Sequence, residues 1–159
     1  MKPVSSNKPR EKIDLGPLPQ LLGYALRRAQ VAVFGDFIAA FEPLQLRPAQ
    51  FSALLLIEAN PGCKQTDAAE ALGIMQPNFV ALMDELERRD LAHRAPAKTD
   101  RRSYALELTD AGRALLARAR IVVADHEARV TTGLDPVETT QLFELLARIE
   151  RSVGAPGKT

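Results

Sequence analysis

Positively charged side chains are concentrated in one stretch of the sequence, between Arg88 and Arg102. This stretch contains six Lys or Arg and two Asp residues, a net charge of +4, whereas the whole chain carries +1 and the remainder therefore −3. A local cluster of this kind suits contact with phosphate groups, because Lys and Arg neutralise the backbone charge of nucleic acids. A non-specific nucleic-acid binder is usually basic throughout, so the sequence favours a localised site. The positive residues, called the basic cluster below, are Arg88, Arg89, Arg94, Lys98, Arg101 and Arg102.

Polar side chains that can pair with bases lie shortly before the basic cluster. Gln76 and Asn78 flank Pro77 at the start of a predicted helix. Asn and Gln form paired hydrogen bonds with adenine in the major groove, so we expect these two to contact bases or phosphates. The predicted DNA-binding residues on this segment also include Pro77 itself, and Gln65 and Thr66 at the start of the preceding helix. The plain alternative is that these are solvated residues without a partner.

The sequence gives no sign of catalysis. It lacks a phosphate-binding glycine loop, a nucleophile elbow and a metal-ligand spacing. Cys63 is the single cysteine, and His93 and His126 lie far from each other in sequence. We therefore expect no catalytic residue, no metal site and no cofactor, and interpret Cys63 as a structural or incidental thiol, with a redox sensor as the alternative.

Apolar spacing and turn residues predict a mainly α-helical chain with one small β-hairpin. Pro48 should begin the second helix, Gly73 should separate two short helices, and Asp90 should adopt a left-handed conformation. Thr109 should cap the fifth helix, and Asp135 with Glu138 should form a capping box before the last. The predicted helices span residues 18–42, 48–59, 66–72, 77–89, 110–132 and about 136–153, and the strands span 91–95 and 103–108.

Two short helices around Gly73 form a helix-turn-helix candidate, which alone is a weak signal. The hairpin that follows strengthens it, since a helix-turn-helix with a basic hairpin, or wing, is a DNA-binding arrangement. The fold class is thus a winged helix-turn-helix core with N- and C-terminal dimerisation helices.

Four segments also resemble the MarR family of transcription regulators: residues 49–51, 67–74, 76–91 and 100–112. The most specific piece is the end of the wing, with the sequence Leu-Thr-Asp-Ala-Gly at positions 108–112. The order of elements agrees with the family as well. The resemblance implies a homodimer formed by the first and last helices, which binds a near-palindromic double-stranded operator. Family members usually repress transcription, and many leave DNA when a small phenolic or lipophilic effector, or an oxidant, acts on them.

The resemblance also divides the chain. Residues 18–153 form one MarR-like domain, in which 18–46 and 110–153 dimerise and 47–109 form the winged helix-turn-helix. Residues 1–17 are expected to be a disordered basic tail, with a basic arm that contacts DNA phosphates as the alternative, and 154–159 a flexible C-terminal tail. In the wing, Lys98, Arg101 and Arg102 should contact DNA, Arg102 in the minor groove, while Asp100 orients a neighbouring arginine. The effector pocket is expected to include Tyr24, Phe34 and Phe51, with a place in the core or the dimer interface as the alternative for the aromatic residues.

The sequence departs from the family on the second short helix. Met75 stands where a Ser or Thr cap is frequent, and Val80 and Ala81 stand where a polar residue and an arginine are common. Val80 and Ala81 give some support to an alternative, a winged-helix module that binds proteins and not DNA. The absence of a signal-peptide pattern and of a long apolar run indicates a cytoplasmic protein without a membrane partner.

Overall fold

The computed structural model describes residues 13–96 and 104–153. These residues divide into two units, one ending at Ala32 and the other beginning at Val33, so the boundary falls inside the first long helix. The order along the described chain is a short 3-10 helix Leu18–Gln20, α1 Leu22–Phe41, a second 3-10 helix Glu42–Leu44, α2 Pro48–Ala59, β1 Cys63–Lys64, α3 Gln65–Ala71, α4 Gln76–Arg88, β2 Ala92–Pro96, β3 Tyr104–Leu108, α5 Asp110–Val130 and α6 Pro136–Val153.

Proline positions define the passage from α1 to α2. Pro43 lies in the 3-10 helix that follows α1, and Gln45 then adopts a left-handed φ of 52°. Pro48 is the first residue of α2, as predicted, because its missing N–H would have no partner there. Gln50 accepts a hydrogen bond from the Arg47 N–H at 3.0 Å and caps the helix from inside.

The helix-turn-helix consists of α3 and α4, as the sequence predicted. Gly73 lies in the turn between them with a φ of +62°, a conformation that favours glycine. The Ile74 N–H donates to the Ala69 carbonyl at 2.9 Å and closes the turn. Asp90, just after α4, has the predicted left-handed conformation with a φ of 53°.

The wing is part of a three-stranded antiparallel sheet, with β3 between β1 and β2. In the β2–β3 hairpin, Ala92 pairs with Leu108 and Pro96 with Tyr104. The two-residue strand β1 pairs Cys63 with Leu106 and was not predicted from the sequence. It attaches the hairpin to the start of α3, so the wing and the helix-turn-helix share one sheet.

Two long helices follow the wing. The Thr109 hydroxyl accepts a hydrogen bond from the Gly112 N–H at 2.9 Å and caps α5, as predicted. The predicted capping box of α6 is also present, because the Glu138 N–H donates to Oδ1 of Asp135 at 2.8 Å and the Asp135 N–H donates to Oε2 of Glu138 at 2.9 Å. No residue of α6 is buried.

The hydrophobic core lies in the second unit, around the winged helix-turn-helix. The rings of Phe37 and Phe41 stack with centroids 3.8 Å apart, and Phe51 packs against both. The core also contains residues of α4 and the wing, namely Phe79, Met83, Leu86, Leu91 and Leu106. The core thus fixes α4 against the wing and leaves the opposite face of α4 to solvent.

Candidate nucleic-acid interface

The solvent-facing side of α4 is the surface on which the candidate site depends. Phe79 and Met83 are fully buried and orient the helix. Residues three and four positions apart lie on the same face of a helix. The face of α4 opposite Phe79 and Met83 therefore carries a single row of side chains. That row is exposed and consists of Pro77, Asn78, Val80, Ala81 and Asp84.

The start of α4 is bonded directly to the start of α3. Nε2 of Gln76 donates to the Thr66 carbonyl at 3.1 Å, and the Thr66 hydroxyl donates to Oδ1 of Asp67 at 2.9 Å. These bonds bring Gln76 and Thr66 together, and their contact with DNA stays a prediction. The amide of Gln76 has a fixed orientation as a result, whereas Asn78 stands exposed two residues further along the helix.

Arg94 on β2 connects the wing to both helices. Its Nε donates to Oε1 of Gln65 at 2.8 Å, and a terminal nitrogen donates to the Val80 carbonyl at 3.1 Å. The guanidinium also pairs with Asp84 at 2.8 Å and with Glu87. Only 16% of the Arg94 side chain is exposed. Four of the five N–H groups of this guanidinium are thus used within the protein, so Arg94 serves mainly to orient α4 relative to the wing.

The basic cluster is accordingly smaller than its sequence suggested. Arg94 is neutralised by two carboxylates that lie outside the stretch over which the charge of +4 was counted. Arg89 is occupied as well, donating to the Gln45 carbonyl at 2.7 Å and the Leu44 carbonyl at 3.3 Å. Arg88 remains largely exposed beside Glu85. Positive charge in sequence does not equal positive surface here, because the fold provides acceptors for two of these arginines.

The rest of the predicted wing site falls outside the described residues. Lys98, Asp100, Arg101 and Arg102 all belong to residues 97–103, and their assignment to DNA contact stays a prediction.

Sequence reasoning missed the role of Arg94. One signal could have revealed it: Asp84 and Glu87 are acidic residues on a helix expected to face DNA, and they are three positions apart. Carboxylates on such a helix require a cation nearby, since they would otherwise repel phosphate.

The Leu-Thr-Asp-Ala-Gly motif forms the joint between α4, the wing and α5. The Thr109 hydroxyl donates to the Asp90 carbonyl at 2.6 Å, and the Thr109 N–H donates to the Leu91 carbonyl at 3.2 Å. Gly112 lies so close that a Cβ there would be 1.9 Å from the Leu91 oxygen. The glycine is therefore required by close backbone approach, and the motif fixes the base of the wing.

The predicted effector-pocket residues lie in different settings. Phe51 is a core residue with 7% exposure, Phe34 is 44% exposed, and Tyr24 belongs to the first unit, where it is half-buried. A cavity of about 670 Å³ lies elsewhere, between the end of α1, the α1–α2 connection and the end of α4. It is lined in part by Ile38 and Arg89, and by none of the three predicted residues. Their role in effector binding stays a prediction.

The single cysteine and the two histidines, the candidates for a redox or metal site, lie in separate places in the structure. Cys63 is half-buried in β1, and burial raises the pKa of its thiol. His126 is buried and contacts Asp36, while His93 lies 3.7 Å from Glu107 at the surface. Across residues 13–96 and 104–153, no three His, Cys, Asp or Glu side chains are grouped so that they could bind a metal ion. None of the described helices is long and apolar enough to span a membrane.

The helices predicted to dimerise expose large apolar side chains. On α6, Val137 is 63% and Phe143 61% exposed, and on α5, Ile121 is 70% exposed. The α1 helix exposes Val31, Phe34 and Ile38. Apolar side chains in such number on helix faces are typical of protein–protein interfaces.

The helix-turn-helix, the sheet that joins it to a wing and the exposed row on α4 define a winged helix-turn-helix protein. The sequence model of the MarR family matches residues 44–103. The chain is 31% identical over 137 residues, 86% of its length and 82% of the relative's, to the protein named "Putative transcriptional regulatory protein for hcr operon" of Thauera aromatica. The chain belongs to the MarR family and is a transcriptional regulator.

Two solved structures of one repressor, CouR, have the same fold. One, bound to a 23-mer DNA duplex, is 52% identical with a TM-score of 0.82, covering 87% of this chain and 99% of that one. The other, bound to p-coumaroyl-CoA, is 51% identical with a TM-score of 0.81, covering 87% and 97%. Regulators of this family are generally non-enzymatic.

Proposed function

We propose that a dimer of this chain represses transcription by binding a near-palindromic operator, and that an aryl-CoA thioester releases it. The main support for DNA binding is the exposed row of residues on α4, a helix whose position relative to the wing is fixed by Arg94. A helix presented in this way fits the major groove, and the two copies in a dimer would place their α4 helices about one helical turn of DNA apart, roughly 34 Å.

Each residue has a distinct task in this proposal. Asn78 and the oriented amide of Gln76 reach base edges, with Pro77 beside them. Arg101, Arg102 and Lys98 contact the DNA backbone and minor groove, with Asp100 orienting an arginine. Gln65 supports Arg94, and Thr66 lies at the start of α3, where its backbone N–H suits a phosphate.

The dimer follows from the apolar side chains of α1, α5 and α6. A second copy with two-fold symmetry would bury them on both protomers at once. The relation to CouR supports both the DNA and the effector, since that repressor is seen with a DNA duplex and with p-coumaroyl-CoA. The protein acts in the cytoplasm, where both ligands are present, and catalyses no reaction.

A gel-shift series tests these points. The protein should retard DNA from upstream of its own gene, and p-coumaroyl-CoA should release that DNA, whereas coenzyme A or the free aromatic acid should not. The thioester should be recovered intact, as expected of a ligand. Binding of proteins without retardation of any DNA would instead favour the interaction module, for which the 73% exposure of Met75 is the specific observation.

A further inference from the structure

The outward row of α4 is apolar where a groove-binding helix usually carries hydrogen-bonding groups. Val80 is 39% exposed, and Ala81 and Pro77 are exposed beside it. Val80 and Ala81 follow Pro77 by three and four positions, so the three side chains adjoin on the first two turns. We name Pro77, Val80 and Ala81 the apolar triangle.

This surface has a defined orientation. The Val80 carbonyl accepts a hydrogen bond from Arg94 at 3.1 Å, and Phe79 next to it is fully buried. The nearest carboxylate on the same face, Asp84, pairs with Arg94 at 2.8 Å. The Val80 methyl groups therefore point away from the core on a helix that is bonded to the wing.

The major groove offers one apolar feature for such a surface, the C5-methyl group of thymine. Alanine and other small apolar groups contact it, and the contact distinguishes thymine from the other three bases. We propose that Val80 and Ala81 recognise thymine methyl groups in each operator half-site, an inference that rests on the proposed function. It adds methyl contacts to the hydrogen bonds assigned to Gln76 and Asn78.

The test removes the methyl group from the DNA and, separately, makes the side chain at position 80 or 81 smaller or more polar. Duplexes that bind the full-length protein are selected from a random pool, and each thymine of the best duplex is replaced singly by deoxyuridine. Fluorescence anisotropy then gives Kd for the wild type, Val80→Ala and Ala81→Ser on every duplex. Deoxyuridine keeps all hydrogen-bonding groups of thymine, so a change in Kd reports the methyl group alone.

We expect uracil at one or two positions per half-site to weaken wild-type binding about fourfold, the effect of one buried methyl-sized group. Val80→Ala should bind the thymine duplex more weakly and lose the uracil effect at one of those positions. Ala81→Ser, which places a polar hydroxyl against the thymine methyl, should reduce the uracil effect at the adjacent position. Arg88→Ala, exposed at the far end of the same helix, is the matched control and should keep every uracil effect.

Two results would overturn the inference while DNA binding stands: no uracil effect at any thymine, or uracil effects that persist in both variants. Failure to select any duplex would overturn the proposed function and this inference together. Thermal unfolding of the variants should stay close to the wild type, since Val80 is partly exposed. If Val80→Ala fails to fold, Val80→Thr, which keeps the shape and exchanges one methyl for a hydroxyl, takes its place.

Discussion

Nδ1 of the buried His126 on α5 lies 2.6 Å from Oδ2 of Asp36 on the second half of α1. Arg129 donates to the same carboxylate with two nitrogens, at 3.2 and 2.9 Å. Only 2% of the His126 side chain is exposed, and a polar group so buried needs a partner. The Phe37 ring packs edge-on against the imidazole at 5.4 Å, so this polar contact adjoins the aromatic core.

Because of the Asp36 carboxylate, we expect the free energy of unfolding to fall at low pH. The hydrogen bond from Arg129, then that from His126, lowers the pKa of Asp36 from 3.8 to about 2. A group whose folded pKa is lower than its unfolded pKa stabilises the fold above the unfolded value, and the contribution is lost as pH falls toward the folded value. Asp36→Asn should therefore unfold at lower urea than the wild type at pH 7, and the gap should close between about pH 4 and pH 2. A gap that stays constant down to pH 2 would contradict this.

The Gly112 position should tolerate no side chain. A Cβ there would be 1.9 Å from the Leu91 carbonyl oxygen, a backbone atom that cannot rotate away. Gly112→Ala should cost about 3 kcal/mol or more in the free energy of unfolding and displace the base of the wing. Gly35→Ala is the matched control, because nothing lies within 4 Å of its added Cβ. It should stabilise α1 by about 0.5–1 kcal/mol, and equal effects of the two substitutions would refute the argument.

Much of the fold could be predicted because its signals are local. Pro48 begins α2, Gly73 and Asp90 take left-handed conformations, and Thr109 caps α5. Each depends on a residue type and its immediate neighbours, which the sequence displays directly. The same is true of the exposed start of α4 around Asn78.

The contacts that assemble the site could not be predicted, because they join distant residues. Arg94 is hydrogen-bonded to Gln65, 29 residues away in the sequence, and Asp36 to His126, 90 residues away. The two-residue strand β1 is too short to show a pattern and exists only through its pairing with β3. A charge count over neighbouring residues could not foresee that Arg94 would be neutralised by α4.

Arg94 should stabilise the fold through its hydrogen-bond geometry more than through its positive charge. Lysine could replace its positive charge but not its simultaneous bonds to Gln65, the Val80 carbonyl and two carboxylates. Arg94→Lys should therefore lower the free energy of unfolding by about 1–3 kcal/mol, measured by urea titration. Arg88→Ala, whose side chain is 73% exposed and 3.8 Å from Glu85, should change it by less than about 1 kcal/mol. A lysine variant as stable as the wild type would show that the network contributes little.

Cys63 should have no regulatory role. Burial raises the pKa of its thiol, which disfavours the thiolate that oxidants attack. Cys63→Ser should keep DNA binding and the response to the thioester, and peroxide should not change the gel shift of either protein. Release of DNA by peroxide in the wild type, abolished by the serine, would make the protein a redox sensor.

Asn78 and Arg102 should contribute to DNA binding in different ways. Asn78 is exposed near the start of α4, where side chains meet base edges, and asparagine pairs with adenine. Asn78→Ala should relax the preference at one or two operator positions by about 1–3 kcal/mol.

Arg102→Ala should weaken binding to all operators alike and preserve their ranking, because an arginine in the minor groove responds to groove width and charge. It should also make Kd less dependent on salt, reducing the slope by about 1 for each phosphate that the arginine no longer neutralises. Affinities of both variants on a small operator panel at two salt concentrations measure these effects. If Arg102→Ala leaves every affinity unchanged, the wing does not bind DNA in the way proposed.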